Sequence, residues 1–194
     1  MNNYDIGILI KNLRKEKGLT QAALAEKLSV TDRTVSKWEC GRGCPDVSLL
    51  GSLSEILGVN IEEILKGGIE SNSFVSGNMK KAKYFVCPVC GNLVISTGNA
   101  SVSCCGRRLK ELQAQKADMS HEVSVEVIET DWFVTCRHEM EKEHYISFVA
   151  FASAEGIKIV KTYPEWELQV RIPKRGHGIL LWYCTEHGLF YKNI

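Results

Sequence analysis

The spacing of apolar residues divides the 194-residue chain into a helical first third and a β-rich last third. Early in the chain, Ile6, Leu9, Ile10 and Leu13 recur at helical intervals, with lysine and arginine on the opposite face. Four further segments show helical spacing, and capping residues mark their ends. With the first, the predicted helices cover residues 5–17, 21–28, 32–39, 46–57 and 61–65.

From about residue 121 onward the pattern changes to short runs in which apolar residues alternate with polar ones or follow one another directly. Val123, Val125 and Val127 alternate with polar residues, whereas 145–152 is almost continuously apolar. The predicted strands cover residues 123–127, 132–135, 145–152, 156–163, 166–172 and 179–183. Several short strands at regular spacing favour a β-sandwich.

The second and third predicted helices are joined by a tight turn at Ser29 and Val30, which is the arrangement of a helix-turn-helix. The words LTQAALAEKLSV, TDRTVSKWE and PDVSLLGSLSEILGV resemble the phage-repressor-type (XRE) helix-turn-helix family over about residues 4–66. The resemblance implies a five-helix, lambda-repressor-like domain that binds double-stranded operator DNA. Because one such module reads a short half-site, we expect a homodimer. The alternative is a unit that mediates protein contacts alone.

The resemblance also implies which residues face DNA. Residues 32–37 would form the recognition helix, with Val35 and Trp38 turned inward. The net charge of the chain is +1, but residues 11–42 hold eight basic and four acidic side chains, which favours a local basic face. The candidate DNA-contacting residues are Gln21, Thr31, Asp32, Arg33, Thr34 and Lys37.

Four cysteines in the middle of the chain predict a metal site. Cys87 and Cys90 form a C-x2-C knuckle, and Cys104 and Cys105 follow as an adjacent pair, so that four sulfurs can surround one ion. The CPVCGN and SCCG words are similar to the desulforedoxin-like module of desulfoferrodoxins, which implies a rubredoxin-like iron. The ligands suit zinc as well, and the metal could serve only to staple a module that lacks its own core.

Four histidines and one cysteine predict a second metal site. His138 and His144 lie in RHEMEKEHYI, and Cys184 and His187 lie in WYCTEHGLF. Imidazoles with a thiolate suit a redox-active transition metal. Both words resemble the iron-centre segments of the desulfoferrodoxin and superoxide reductase family. That resemblance implies an immunoglobulin-like β-sandwich whose iron is held by these residues and His121, with an axial thiolate and an open sixth position.

The chain departs from that family next to His121, where relatives carry a Glu-Lys pair. Met119 and Ser120 stand there instead, and Lys142 is a candidate substitute for the missing positive charge. The other histidine, His177, is expected in a solvated turn between two glycines. Of the remaining thiols, Cys136 is expected to be a buried strand residue, and Cys40 and Cys44 are interpreted as incidental, with a redox disulfide as the alternative.

We therefore expect an α plus β multidomain protein that has four parts. They are a helix-turn-helix domain over 1–66, a flexible linker over 67–82, a four-cysteine module over 83–117 and an iron-binding sandwich over 118–194. The chain has no apolar run long enough for a bilayer and no signal peptide at its N-terminus, so we expect it in the cytoplasm, where thiols stay reduced.

Three functions compete. The first is a transcription regulator whose iron domain senses superoxide, a related small redox ligand or iron status. The second is a superoxide reductase with an accessory DNA-binding domain. The third is a regulator in which both metal sites are structural. Ser120 favours the first over the second, and the open coordination position disfavours the third.

Overall fold

The structure, a computed structural model, describes residues 2–72 and 78–194, and it divides between residues 71 and 72 into two compact units. The predicted linker, 67–82, includes residues 73–77, which lie outside the described residues. After them, Met79–Lys81 forms a single 3-10 turn. Among the described residues, the helices are all too short or too polar to cross a membrane.

The first unit contains the five predicted helices. They are α1 (Asn3–Glu16), α2 (Gln21–Lys27), α3 (Asp32–Glu39), α4 (Leu50–Leu57) and α5 (Ile61–Lys66), with a 3-10 turn at Val47–Leu49 before α4. The side chains of Thr20 and Thr31 cap α2 and α3 by accepting hydrogen bonds from backbone N–H groups three residues on. Gly58 ends α4 in the left-handed conformation. The predicted helix-turn-helix is therefore confirmed.

The core of this unit contains apolar residues from all five helices. Val35 is fully buried and Trp38 nearly so, which confirms that this face of α3 is turned inward. The buried set is Ile6, Leu9, Ile10, Leu13, Leu24, Ala25, Leu28, Val35, Trp38, Leu50, Leu53, Leu57 and Ile64.

One ion pair is buried beside that core. The guanidinium of Arg14 on α1 donates to both carboxylate oxygens of Glu39 at the end of α3, over 2.6 and 3.0 Å, and also to the carbonyl of Leu19. Gln21 on α2 donates to the same carboxylate. Burial alone raises the pKa of Glu39, but the bonds from Arg14 and Gln21 outweigh it and leave the pKa below its ordinary value. The pair thus joins α1, α2 and α3.

The second unit is built on two β-sheets. Its three-stranded sheet has the order β10-β7-β6, and its five-stranded sheet has the order β5-β12-β11-β8-β9. All neighbours are antiparallel except β5 and β12. The strands are β5 (Ala114–Lys116), β6 (Val123–Ile128), β7 (Asp131–Cys136), β8 (Ile146–Ala152), β9 (Ile157–Lys161), β10 (Leu168–Pro173), β11 (Ile179–Cys184) and β12 (Gly188–Asn193).

The apolar run of β8 is explained by burial on both faces of the five-stranded sheet. On one face, Val149 and Phe151 join Trp182 in the core of the sandwich. On the other, Phe148 and Ala150 pack beneath the four-cysteine module. A strand covered on both sides has no solvent face and so needs no polar alternation.

The four-cysteine module consists of two small hairpins. The strands are β1 (Lys83–Val86) with β2 (Leu93–Ser96), and β3 (Ser103–Cys104) with β4 (Arg107–Arg108). Its own core holds few residues, chiefly Phe85, Cys87 and Leu109. Tyr84 packs instead against the outer face of the large sheet, where its ring stacks on Phe148 at a centroid distance of 6.4 Å. A module with so small a core is the kind that a bound metal stabilises.

The buried ion pair generates a stability prediction. Glu39→Ala leaves the Arg14 guanidinium buried without its counter-charge, and we expect the free energy of unfolding of the helical unit to fall by about 3–5 kcal/mol. Urea unfolding of the full chain, followed by helical circular dichroism, measures the change. Glu26→Ala is the control, since Glu26 is an exposed carboxylate on α2. Equal stability of the two variants would contradict the assignment of the pair as a stabilising link.

Candidate metal centres and DNA-binding face

The histidine-cysteine cluster lies where strands of both sheets end together. Val123 pairs with Cys136 in one sheet and Cys184 pairs with Ile146 in the other. The connections beyond these pairs carry the five candidate ligands. His121 precedes β6, His138 follows β7, His144 precedes β8, Cys184 ends β11, and His187 lies in the turn before β12. Strand register therefore brings together residues that are up to 66 positions apart.

The structure brings all five predicted residues within reach of one ion. One donor atom from each of His121, His138, His144, Cys184 and His187 lies within 4.8 Å of all the others. The four imidazoles form a closed ring, in which neighbouring centroids are 4.6–5.2 Å apart. The Cys184 sulfur is buried and lies 3.4 Å from Nδ1 of His187. His187 itself is exposed to solvent.

Three imidazole nitrogens in this ring have unmet bonding capacity. The Nε2 atoms of His121, His138 and His144 are buried, and the described residues offer none of them a hydrogen-bond partner. A buried polar atom left unpaired costs about 1–3 kcal/mol. Burial also lowers the pKa of His138, which favours the neutral imidazole that binds metals. Orphaned nitrogens that converge with a thiol fit a transition-metal ion.

The opposite nitrogens of two rings are anchored. Nδ1 of His121 lies 2.7 Å from the carboxylate of Asp118, and Nδ1 of His138 contacts the carbonyl of Glu139. The bonds of Asp118 to His121, first, and to Ser120 lower the pKa of that carboxyl to about 2. Carboxylates and carbonyls in this position fix the tautomer and orientation of a metal-binding histidine. The arrangement leaves Nε2 of both rings free for an ion.

Further hydrogen bonds hold the loops that carry the ligands. The hydroxyl of Thr185 donates to the carbonyl of Glu143 and accepts from the N–H of Tyr145, which ties the Cys184 turn to the His144 loop. The indole N–H of Trp182 donates to the carbonyl of His121 over 3.0 Å. The ring of Phe190 stacks on His121 at 4.4 Å. These contacts fix the positions of the loops that carry the ligands.

The four predicted cysteine ligands also converge. One sulfur from each of Cys87, Cys90, Cys104 and Cys105 lies within 4.8 Å of the others. The Cys90–Cys104 and Cys104–Cys105 sulfur pairs are 3.6 and 4.0 Å apart. Sulfurs placed tetrahedrally about an ion at ~2.3 Å would be separated by about 3.8 Å. The spacing therefore fits a four-thiolate metal site.

Local bonding gives these thiols different acidities. The backbone N–H groups of Cys90, first, and Val89 bond to the Cys87 sulfur and lower its pKa to about 7. The nearby sulfurs of Cys90, first, and Cys104 raise the pKa of Cys105 to about 12. Since thiolates repel one another, a cation at their centre is what allows all four to ionise.

Five of the candidate DNA-contacting residues lie on α3 or at its start, and Gln21 begins α2. Arg33 and Lys37 are exposed on α3, as are Thr31 and Asp32 at its start, and Thr34 is half-buried. Gln21, expected to contact the DNA backbone, donates a hydrogen bond from its side-chain amide to the Glu39 carboxylate, which fixes the orientation of the amide.

The remaining singled-out residues lie outside both clusters. His177 is exposed, as expected of a turn residue. Cys136 is half-buried at the end of β7, where its thiol donates to the carbonyl of Glu122. Cys40 is exposed, and Cys44 is half-buried against the helical core with its thiol donating to Asn3. The structure holds both as free thiols.

Sequence reasoning missed the residues that support the ligands. Asp118 and Thr185 are examples, because a bond to a ligand or its loop depends on the folded arrangement. The D-x-x-H spacing of Asp118 and His121 was the one available clue. Lys142, named as a substitute cation, is well exposed, and its ammonium lies 3.9 Å from the carboxylate of Glu165.

Comparison with known proteins separates the two units. Residues 10–64 match the family model described as "Helix-turn-helix". The transcriptional activator BcrR of Enterococcus faecalis is 43% identical over 58 residues, which are 30% of this chain and 28% of BcrR. The prophage-derived regulator YonR of Bacillus subtilis is 39% identical over 61 residues, 31% of this chain and 56% of YonR. The chain thus spans about a quarter to a half of these relatives.

The second unit matches a different group. A desulfoferrodoxin homolog of Methanothermobacter thermautotrophicus is 26% identical over 117 residues, which are 55% of this chain and 94% of the homolog. The crystal structure of superoxide reductase from Treponema pallidum superposes with a TM-score of 0.52 at 20% identity, over 58% of this chain and 98% of that one. The chain therefore joins an XRE-type helix-turn-helix domain to a desulfoferrodoxin-like domain with the superoxide reductase fold.

The Asp118–His121 contact generates a metal-binding prediction. Asp118→Asn removes the charge that orients the imidazole, and we expect metal affinity at the histidine-cysteine site to fall about 10- to 100-fold. Competition with a chelator measures the affinity. Glu122→Gln is the matched control, because Glu122 borders the same cavity but its carboxylate lies 3.9 Å from Lys192. Equal affinities of Asp118→Asn and the unmodified protein would show that the contact does not support a ligand.

Proposed function

We propose that the protein is a DNA-binding transcription regulator whose desulfoferrodoxin-like domain responds to superoxide, a related small redox ligand or iron status. The observation that carries this proposal is the closed ring of four imidazoles with the Cys184 sulfur in reach of the same ion. Three buried nitrogens of that ring have no hydrogen-bond partner in the described parts of the chain. A purely structural site would not need to leave one ligand, His187, on an exposed side.

The division of labour follows from the residues. His121, His138, His144, His187 and Cys184 would hold iron, which would supply one-electron chemistry beside a position that a small ligand can reach. Asp118 orients the His121 ring, and Thr185 holds the Cys184 turn against the His144 loop. The second site, Cys87, Cys90, Cys104 and Cys105, would hold a second iron, with zinc as the alternative for the same four sulfurs.

The helical unit would supply DNA recognition. The exposed side chains of α3, with a basic surplus around them, would enter the major groove of an operator. We expect a homodimer on a roughly palindromic site in the cytoplasm, because one module reads a short half-site. Gln21 would contact the DNA backbone, and Thr31, Asp32, Arg33, Thr34 and Lys37 would contact bases or phosphates.

The second candidate is a superoxide reductase with an accessory DNA-binding domain. The cavity of about 380 Å³ next to the imidazole ring favours it, since a small substrate could enter there. Ser120 weighs against efficient turnover. Its hydroxyl bonds to Asp118 over 2.8 Å and lies 3.1 Å from Nδ1 of His121, so this position supplies no positive charge.

The recognition helix generates a DNA-binding prediction. Arg33→Ala and Lys37→Ala should each weaken operator binding by about 1–3 kcal/mol if the side chains contact bases, and by less if they contact phosphate. Titration of a fluorescent operator at fixed salt measures this loss. Lys66→Ala on α5 serves as the control, because Lys66 is exposed and lies outside both the recognition helix and the basic stretch 11–42. Unchanged affinity in the double variant would mean that α3 is not the reading element.

Sensing requires that the two units be energetically coupled. We expect operator affinity to differ between the reduced and oxidised iron-loaded protein by about 1–3 kcal/mol, the usual scale of coupling between sites. Paired titrations on one operator, one anaerobic and reduced and one oxidised, measure the difference. In a Cys184→Ala variant the difference should disappear if the histidine-cysteine site is responsible, and in Cys104→Ser if the thiolate site is. Equal affinities, with fast steady-state reduction of superoxide, would favour the enzyme.

A further inference from the structure

The cavity beside the imidazole ring has an uneven set of charged lining groups. Besides the histidines, its charged lining residues are three acidic ones, Asp118, Glu122 and Glu139, and the basic Arg137. Each acid has a nearby positive or polar partner. Asp118 bonds to His121 and Ser120, the Glu122 carboxylate lies 3.9 Å from Lys192, and that of Glu139 lies 3.9 Å from His144.

Arg137 differs from these acids. It directly follows β7 and directly precedes His138, and its side chain is exposed. Within residues 2–72 and 78–194 its guanidinium takes part in no ion pair and no side-chain hydrogen bond. The five N–H donors of this guanidinium are therefore available to an anion that enters the cavity.

We propose that Arg137 is the residue that draws a small inorganic anion into the cavity beside His138, His144 and His187. A guanidinium matches the planar, multi-oxygen or linear geometry of such anions better than a point charge does, because its donors form a fixed fork. Of the neighbouring acids, Glu122 lies near the ammonium of Lys192, and Asp118 and Glu139 lie against His121 and His144, which would hold a metal cation. The three carboxylates therefore oppose the anion less than their number suggests.

Two other groups that could have supplied this charge do not. Ser120 uses its hydroxyl on Asp118. Lys142 lies between His138 and His144 in sequence, but its ammonium is 3.9 Å from the Glu165 carboxylate and it does not line the cavity. Of the described lining residues, Arg137 is thus the permanent cation.

The identity of this cation also bears on what the site does with an anion. A guanidinium remains protonated throughout the physiological pH range, so it attracts and orients an anion without giving it a proton. Arg137 therefore acts as a specificity-determining residue for binding and not as a proton donor. This inference deepens the proposed function and rests on it, since it names the ligand class of the same site.

The test uses azide as a probe anion and the full-length, iron-loaded, oxidised protein without DNA. Azide is titrated while the charge-transfer absorption of the histidine-cysteine site is recorded. Arg137→Gln should weaken azide binding by about three- to tenfold, the effect of one partly screened charge. Arg137→Lys should restore only part of the affinity, because it returns the charge without the fixed fork of donors. Added salt should weaken binding less in Arg137→Gln than in the unmodified protein.

Lys142→Gln is the matched control, since it removes one positive charge from the same stretch of chain and should leave azide affinity within about twofold. Iron content and the absorption spectrum before azide show whether each variant keeps its site. Equal azide affinity of Arg137→Gln and the unmodified protein, or an equal loss in Lys142→Gln, would overturn the assignment.

The failure of this inference can be distinguished from the failure of the proposed function. If azide affinity depends on Arg137 but operator affinity is the same in both oxidation states, the anion site stands and the sensing role falls. If operator affinity depends on oxidation state but azide affinity is unchanged in Arg137→Gln, the sensing role stands and the anion site falls.

Discussion

Three buried imidazole nitrogens without hydrogen-bond partners in the described chain are the constraint around which the second unit is organised. Desolvated polar atoms normally oppose folding, and here three of them converge with a buried thiol. Other contacts hold these imidazoles in place. Asp118 contacts Nδ1 of His121, and Thr185 joins the loops that carry Cys184 and His144. The fold therefore holds an arrangement that a bound ion would relieve, and the free energy of metal binding would then add to the stability of this end of the sandwich.

Strand register is what makes the convergence possible. A slip of one residue between β11 and β8 would turn Cys184 out of the core and Tyr183 into it. The register shift between these two residues brings Cys184 opposite Ile146. β8 in this pairing is buried on both faces, and its outer face lies beneath the four-cysteine module. The four-cysteine module thus supports the sheet that positions the other site.

The sequence predicted what is encoded locally. Thr20 and Thr31 cap the starts of their helices and Gly58 ends another, and all three act on backbone groups within about one helical turn. Because these signals are local, all five helices were predicted to within a few residues. The cysteine and histidine motifs place pairs of metal ligands a few residues apart, so these ligands were also predictable. The strands β5 and β12 were not predicted. β12 begins four residues after Cys184, within the segment interpreted as a ligand loop, and β5 has only three residues and pairs with β12 in parallel. The role of Arg137 depends on which loops meet at the cavity, and local pattern does not encode that.

A response at the metal site can change DNA binding only if some element differs in free energy between two states of that site. If an iron ion held by the four imidazoles and Cys184 gained or lost one electron, the charge at the site would change by one unit, and the groups bonded to the imidazoles would be affected most. Asp118 and the carbonyl of Glu139 are such groups, and the latter lies in the loop that Thr185 ties to the Cys184 turn. If the site responds to redox change as proposed, this loop, Glu139–His144, is the segment that would respond first, and Arg137, two residues before it, would lie near the same change in charge.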